Sequence, residues 1–189
     1  MVKLPARIET LPGVPAASPD NLPPALAYGE RVLLTNHVLS GALIGALARR
    51  PAAAFAAGIA SHFVLDALPH WGSWDSTRRF LRAAVPDGLV SLAAMGAFAA
   101  LAPADRRPAV VAGMAGAALP DADKPARLFF GRSPFPAAVD RFHGRIQREA
   151  PGRAHLEVLA AAGLAAAAFA ALRRGAAGYS ACSRNALRQ

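Results

Sequence analysis

The chain has a single cysteine, Cys182, which excludes an intramolecular disulfide and a Cys-ligated structural zinc. Charged residues are also scarce, at 17%. Soluble domains usually carry roughly 25%, so little polar surface is on hand to cover a water-facing exterior. No stretch alternates apolar and polar residues, so no strand is expected. The first thirty residues lack the apolar run of a secretory signal peptide. No aromatic-interleaved basic patch and no zinc-finger spacing occurs. Nucleic acid is therefore not an expected partner, although the formal net charge is +9.

What is present is apolar and basic. Hydrophobic residues make up 54% of the 189, with alanine dominant. Arginines cluster in the connections, as in Arg49-Arg50, Arg78-Arg79, Arg106-Arg107 and Arg173-Arg174. Basic residues flanking apolar segments suit the boundary of a lipid bilayer, the expected partner.

Residues 1–30 are rich in proline and without period, and read as a disordered leader. Residues 31–173 read as a helical membrane-associated domain, and residues 174–189 as a flexible tail. Within the domain, proline sets the boundaries. A first helix over 33–48 carries the G-x-x-x-G step Gly41/Gly45, which permits close helix approach. Pro51 opens a second helix that Pro69 ends. A short amphipathic piece over 76–84 follows, then helices opened by Pro86 and Pro108, the latter stopped by Pro120. Residues 121–134 read as a loop, 135–149 as a more polar helix and 155–172 as a last alanine-rich helix. The expected fold is all-α: a compact bundle of five to six short apolar helices, embedded in or associated with a membrane. The segments over 85–102 and 155–172 are the best spanning candidates.

Chemistry must come from a few polar residues among these helices. His62 and Asp66 are four apart and share one helix face. Such a pair can bind a metal ion, or the carboxylate can simply orient the imidazole in a structural pair. His37 sits in the first turn of the first helix. Asp121 and Asp123 follow the helix-breaking Pro120 and could offer oxygens to a cation, or form an ordinary capped turn. Asp87, after Pro86, reads as a charge favoured by the dipole at its own helix's N-terminus. His143 lies in a basic helix and is either a ligand, a general acid/base or a surface histidine. Arg145 and Arg148 beside it could hold a phosphate-bearing substrate. Mixed His/carboxylate ligation suits zinc or manganese.

The series His37…Gly41, Gly58-x-x-x-His62-x-x-x-Asp66-x-x-x-His70 and Pro120-Asp121-x-Asp123 resembles the YdjM-like inner-membrane metal-dependent hydrolases. It is similar, more distantly, to bacterial zinc-dependent phospholipase C. The likeness covers residues 33–145, with the motifs in a different order from the YdjM-like group. It implies an inner (cytoplasmic) membrane location. It also implies metal ligation by His37, His62, Asp66 and Asp121, with Asp123 and His143 as further members. On that footing Asp66, Asp121 and His143 are the catalytic candidates of a metal-dependent hydrolase; the resemblance implies no substrate, and the phosphoester expectation comes from Arg145 and Arg148. The alternatives are a non-catalytic integral membrane protein with structural His/Asp pairs, and an ion or proton relay.

Overall fold

The computed structural model describes residues 33–71, 77–150 and 152–186. The expected leader over 1–30 lies outside the described residues. The remainder is all-helical apart from one two-residue strand pair. The α-helices are α1 (Leu34–Leu47), α2 (Pro51–Asp66), α3 (Thr77–Leu101), α4 (Arg107–Ala118), α5 (Asp123–Phe130), α6 (Ala137–Ile146) and α7 (Ala154–Ala186). A 3-10 turn, Leu119–Ala122, joins α4 to α5. Strands β1 (Pro69–His70) and β2 (Arg148–Glu149) pair in parallel, and the Ala150 N–H donates to the His70 carbonyl at 2.8 Å.

Helix α1 is the axle of the bundle. Every residue from Thr35 to Ala42 is buried, as are Gly45 and Ala46. A helix enclosed on all sides needs small residues where its neighbours come closest. A Cβ on Gly41 would sit under 3.0 Å from the backbone of Gly113 in α4, and a Cβ on Gly113 would meet the Gly41 carbonyl as closely. The G-x-x-x-G step thus works as expected, with α4 as the partner.

Tertiary contacts fix the directions. The N-terminus of α1 lies beside Asp87 of α3 and Glu157 of α7. At its other end the Arg106 guanidinium donates to the Ala46 carbonyl at 2.8 Å. Helices α3 and α7 therefore run alongside α1 in the same sense, and α2 and α4 return. One end of the bundle gathers the start of α1, the ends of α2 and α4, and the start of α7.

Two helices are long and apolar enough to cross a membrane, over Phe80–Leu101 and Ala154–Arg174. At 22 residues the first measures roughly 33 Å, against a hydrocarbon core of about 30 Å. Only 11% and 17% of their most apolar windows are buried within the protein, unlike the core helix of a soluble domain. Leu89, Leu92, Val158 and Leu159 are each more than 60% exposed.

Several boundaries differ from the sequence reading. Helix α3 is continuous through Pro86 and fuses the expected short piece to the next helix. Proline removes one helical donor and crowds the preceding turn, yet helical residues continue on both sides, nine before it and fifteen after it. Residues 123–130 form α5 where a loop was expected, closed by Gly131 at φ 72°. Helix α7 runs on to Ala186, past the tail boundary placed at 174. The strand pair was also not expected, since two residues show no periodicity.

Candidate metal centre

The gathered end of the bundle holds the buried polar residues. His62 and Asp66 lie on the last turns of α2, where the four-residue spacing points both inward, at 0% and 1% exposure. His37 arrives from the first turn of α1, also at 1%. His143 comes from α6 and is buried at 3%. On α6, Asp140 and His143 lie on one face, Gln147 follows at the helix's C-terminal cap, and Phe142 sets an edge against Phe63 of α2. Asp121 projects from the 3-10 turn with its side chain 15% exposed.

These side chains converge on Asp66. His37 Nε2 lies 3.3 Å from Oδ1, while His62 Nε2 and His143 Nε2 lie 3.2 and 2.9 Å from Oδ2. The latter two nitrogens are 3.1 Å from each other. Asp121 Oδ1 stands slightly further out, 4.0 Å from His62 Nε2 and 3.8 Å from His143 Nε2. Two overlapping groups have metal-compatible spacing: His37, His62 and Asp66, and His62, Asp121 and His143.

Hydrogen bonding alone accounts poorly for this packing. His62 Nδ1 is 2.8 Å from the Ala117 carbonyl, which only accepts, so Nδ1 carries the proton. In the neutral ring Nε2 is then a bare lone pair, aimed at a carboxylate oxygen and at a second imidazole nitrogen. A cation among the donors, or a second proton on the ring, removes the conflict. Ligands held about 2.0–2.1 Å from a tetrahedral zinc ion are roughly 3.3–3.4 Å apart, and the inner donors span 2.9–3.3 Å. The Ala117 carbonyl also fixes tautomer and ring orientation, as acceptors behind metal-bound histidines do. The buried His/Asp groups could therefore hold a metal ion.

The electrostatics agree. Burial alone would push the Asp66 carboxyl up, but hydrogen bonds from His143, His37 and His62 hold it well below the usual carboxylate range. Burial likewise opposes the charge on Asp121, and the positive fields of His62, His37 and Lys124 outweigh it and lower its pKa. For His62 burial favours the neutral ring, yet the hydrogen bond to Asp66 and the charges of Asp121 and Asp66 raise it above its ordinary 6.5.

The structure thus brings together His37, His62, Asp66, Asp121 and His143. It does not bring Asp123 with them. Asp123 starts α5, and residues two apart on a helical turn point to nearly opposite sides. Its carboxylate instead meets Lys124 at 3.0 Å and Arg127 at 3.6 Å. Arg145 and Arg148 are exposed and make no ion pair with described residues. Gln147 escaped the sequence reading, although its spacing from His143 could have found it. Its amide nitrogen lies 3.4 Å from Asp66 Oδ2 and 3.2 Å from His143 Nε2. His70 is buried but separate, donating from Nδ1 to the Leu68 carbonyl at 2.7 Å.

Comparison with family models, with curated proteins and with solved structures finds no match for this chain.

Proposed function

We propose that the chain is a membrane-associated metal-dependent hydrolase, of the kind that the YdjM-like resemblance implies, in the inner (cytoplasmic) membrane, and that exposed Arg145 and Arg148 direct it at phosphoesters. The observation that carries the metal is the convergence of His37, His62 and His143 on Asp66 at 2.9–3.3 Å. The membrane reading rests on the outward apolar faces of α3 and α7.

When bound, a divalent ion would supply Lewis-acid chemistry, lowering the pKa of a coordinated water and polarising a phosphoryl oxygen. The residues divide the remaining work. Both oxygens of Asp66 face imidazoles, which favours a ligand's part over a base's. His143 Nε2 likewise points into the donor cluster, which favours ligation over proton shuttling. Asp121, standing further from the other donors with its side chain 15% exposed, is the group assigned to take a proton from an attacking water. Arg145, two residues beyond His143, and Arg148 on β2 are free to hold the anionic oxygens of a phosphoester.

A second reading is a structural metal site in a non-catalytic membrane protein. It is favoured by the closure of the donor set, with His37, His62 and Asp66 at 0–1% exposure.

The test is metal content by mass spectrometry on detergent-purified protein, alongside His62→Ala, with folding of both checked by circular dichroism. A stoichiometric amount of zinc or manganese, lost in the variant together with hydrolysis of a chromogenic phosphodiester, supports the hydrolase. Metal without turnover supports the structural reading. No metal in either folded sample overturns both.

A further inference from the structure

The hairpin formed by α5 and α6 has two faces, and only the inner one serves the donor cluster. Asp140 locks the hairpin from within, accepting from Arg127 and, at 2.9 Å, from the Ser133 hydroxyl. The outer side carries exposed apolar groups: Phe129 is 74% exposed and Phe130 79% at the end of α5, and on α6 Phe142 is 51% exposed, with one edge against Phe63 of α2, and Val139 39%. Exposed aromatics in such number are costly in water unless something covers them. Arg132 follows Phe130 by two residues, and Arg141 and Arg145 flank Phe142 in the chain, all exposed and without an ion pair among the described residues.

Exposed aromatic side chains with free arginines close by in the chain match the chemistry of a bilayer interface. The rings enter the boundary between headgroups and acyl chains, and the guanidiniums meet lipid phosphate. The position in the chain agrees. Only residues 149–153 separate Arg148 from Ala154, where the span-length apolar run of α7 begins. The hairpin therefore stands where that run would enter a bilayer.

We propose that the outer face of the α5–α6 hairpin seats in the headgroup layer of an anionic bilayer. The hairpin supplies His143 and positions the donor cluster just behind it, so the cluster sits at the level of the headgroups. The inference rests on the membrane reading above and is independent of whether metal binds.

Spin labels test it on the full chain reconstituted into vesicles. Cys182→Ser removes the native thiol, and Phe130→Cys or Leu92→Cys provides a single labelling site. Vesicles of phosphatidylcholine, with or without phosphatidylglycerol, are compared by accessibility to oxygen and to a water-soluble nickel complex. The expected result is a label at 130 at interfacial depth, shielded from nickel several-fold more when phosphatidylglycerol is present. Arg132→Gln/Arg141→Gln should abolish that lipid dependence. A label at 130 open to nickel in both vesicles, with the label at 92 in lipid, overturns the hairpin proposal alone. Labels at 92 and 130 both open to nickel overturn the membrane reading with it. Dipolar broadening between labels at 130 would mean that a second copy covers the face, and overturns the lipid assignment.

Discussion

Two aspartates meet the start of α1, Asp66 buried and Asp87 half-buried, and they are built differently. Asp87 reaches across from α3 and accepts from the Leu34 N–H at 2.7 Å, the Thr35 N–H at 3.3 Å and the Thr35 hydroxyl at 2.5 Å. Every contact pairs a donor with an acceptor. Leu33, in the N-cap position, has no capping side chain, and Asp87 supplies the cap from another helix. Asp66 is surrounded by three imidazoles, and two of their nitrogens are 3.1 Å apart with one oxygen between them to share. The first cluster is complete as a hydrogen-bonded staple. In the second, a neutral His62 leaves a bare Nε2 facing a carboxylate oxygen, so either a second ring proton or a cation is needed to complete it. A carboxylate alone does not mark a candidate metal site; the donor–acceptor accounting around it does.

The sharpest way to break this contrast is to neutralise each carboxylate in turn. Asp66→Asn should lose nearly all bound metal, because one anionic ligand is replaced by an amide. Asp87→Asn keeps the fold's metal and weakens only the cap, costing about 1 kcal/mol as other N-cap losses do. Metal content and thermal unfolding of both variants decide this. Equal metal in the two would erase the distinction drawn between the clusters.

The next effect comes through packing. The donors of the Asp66 cluster ride on α1, α2, the turn after α4, and α6, and α4 is seated on α1 by Gly41 and Gly113. Gly113→Ala places a methyl under 3.0 Å from the Gly41 carbonyl, so the helices must part. Overpacking of this kind costs about 1–3 kcal/mol. It should also lower metal affinity, since Ala117 of α4 orients His62. Gly96→Ala, with open space around its Cβ, is the control and should leave affinity unchanged while raising stability by up to about 1 kcal/mol, since alanine favours the helix over glycine. If the two variants unfold at the same temperature, the close approach of α1 and α4 is not what holds the cluster together.

How far these features could be read from the sequence depended on whether they are local. The His62/Asp66 pair was legible because four-residue spacing alone puts both on one face. Asp121 was legible because Pro120 stops a helix beside it. The Gly41/Gly45 step announced close packing without naming α4. Asp123 was misread because residues 121–134 look like a loop, and only the formation of α5 turns its side chain away. Asp87 was assigned to its own helix's N-terminus, on the assumption that Pro86 opens that helix. With α3 continuous, Asp87 sits mid-helix and caps α1 instead, a relation across 53 residues of chain that no local pattern carries. The Asn36 amide bonded to the Glu157 carboxylate is of the same long-range kind.

The pH response of the Asp66 cluster sharpens the contrast further, because proton and metal compete for it. Without metal, the lowered Asp66 contributes stability that is present above its ordinary value of 3.8 and is lost as pH falls through its folded pKa. The raised His62 contributes stability that is full below 6.5 and is lost as pH rises through its folded value. The metal-free protein should therefore unfold at its highest temperature in the window between those two values. It should become less stable toward alkaline pH. Metal requires His62 Nε2 unprotonated, so affinity rises with pH by up to about tenfold per unit until the His62 proton is gone. The two slopes have opposite sign above 6.5. Unfolding temperatures measured across this range, with chelator and with added zinc, should diverge as pH increases. Parallel curves would mean that the raised His62 is no more than a buried ion pair with Asp66, and that the cluster is a second staple like the one at Asp87.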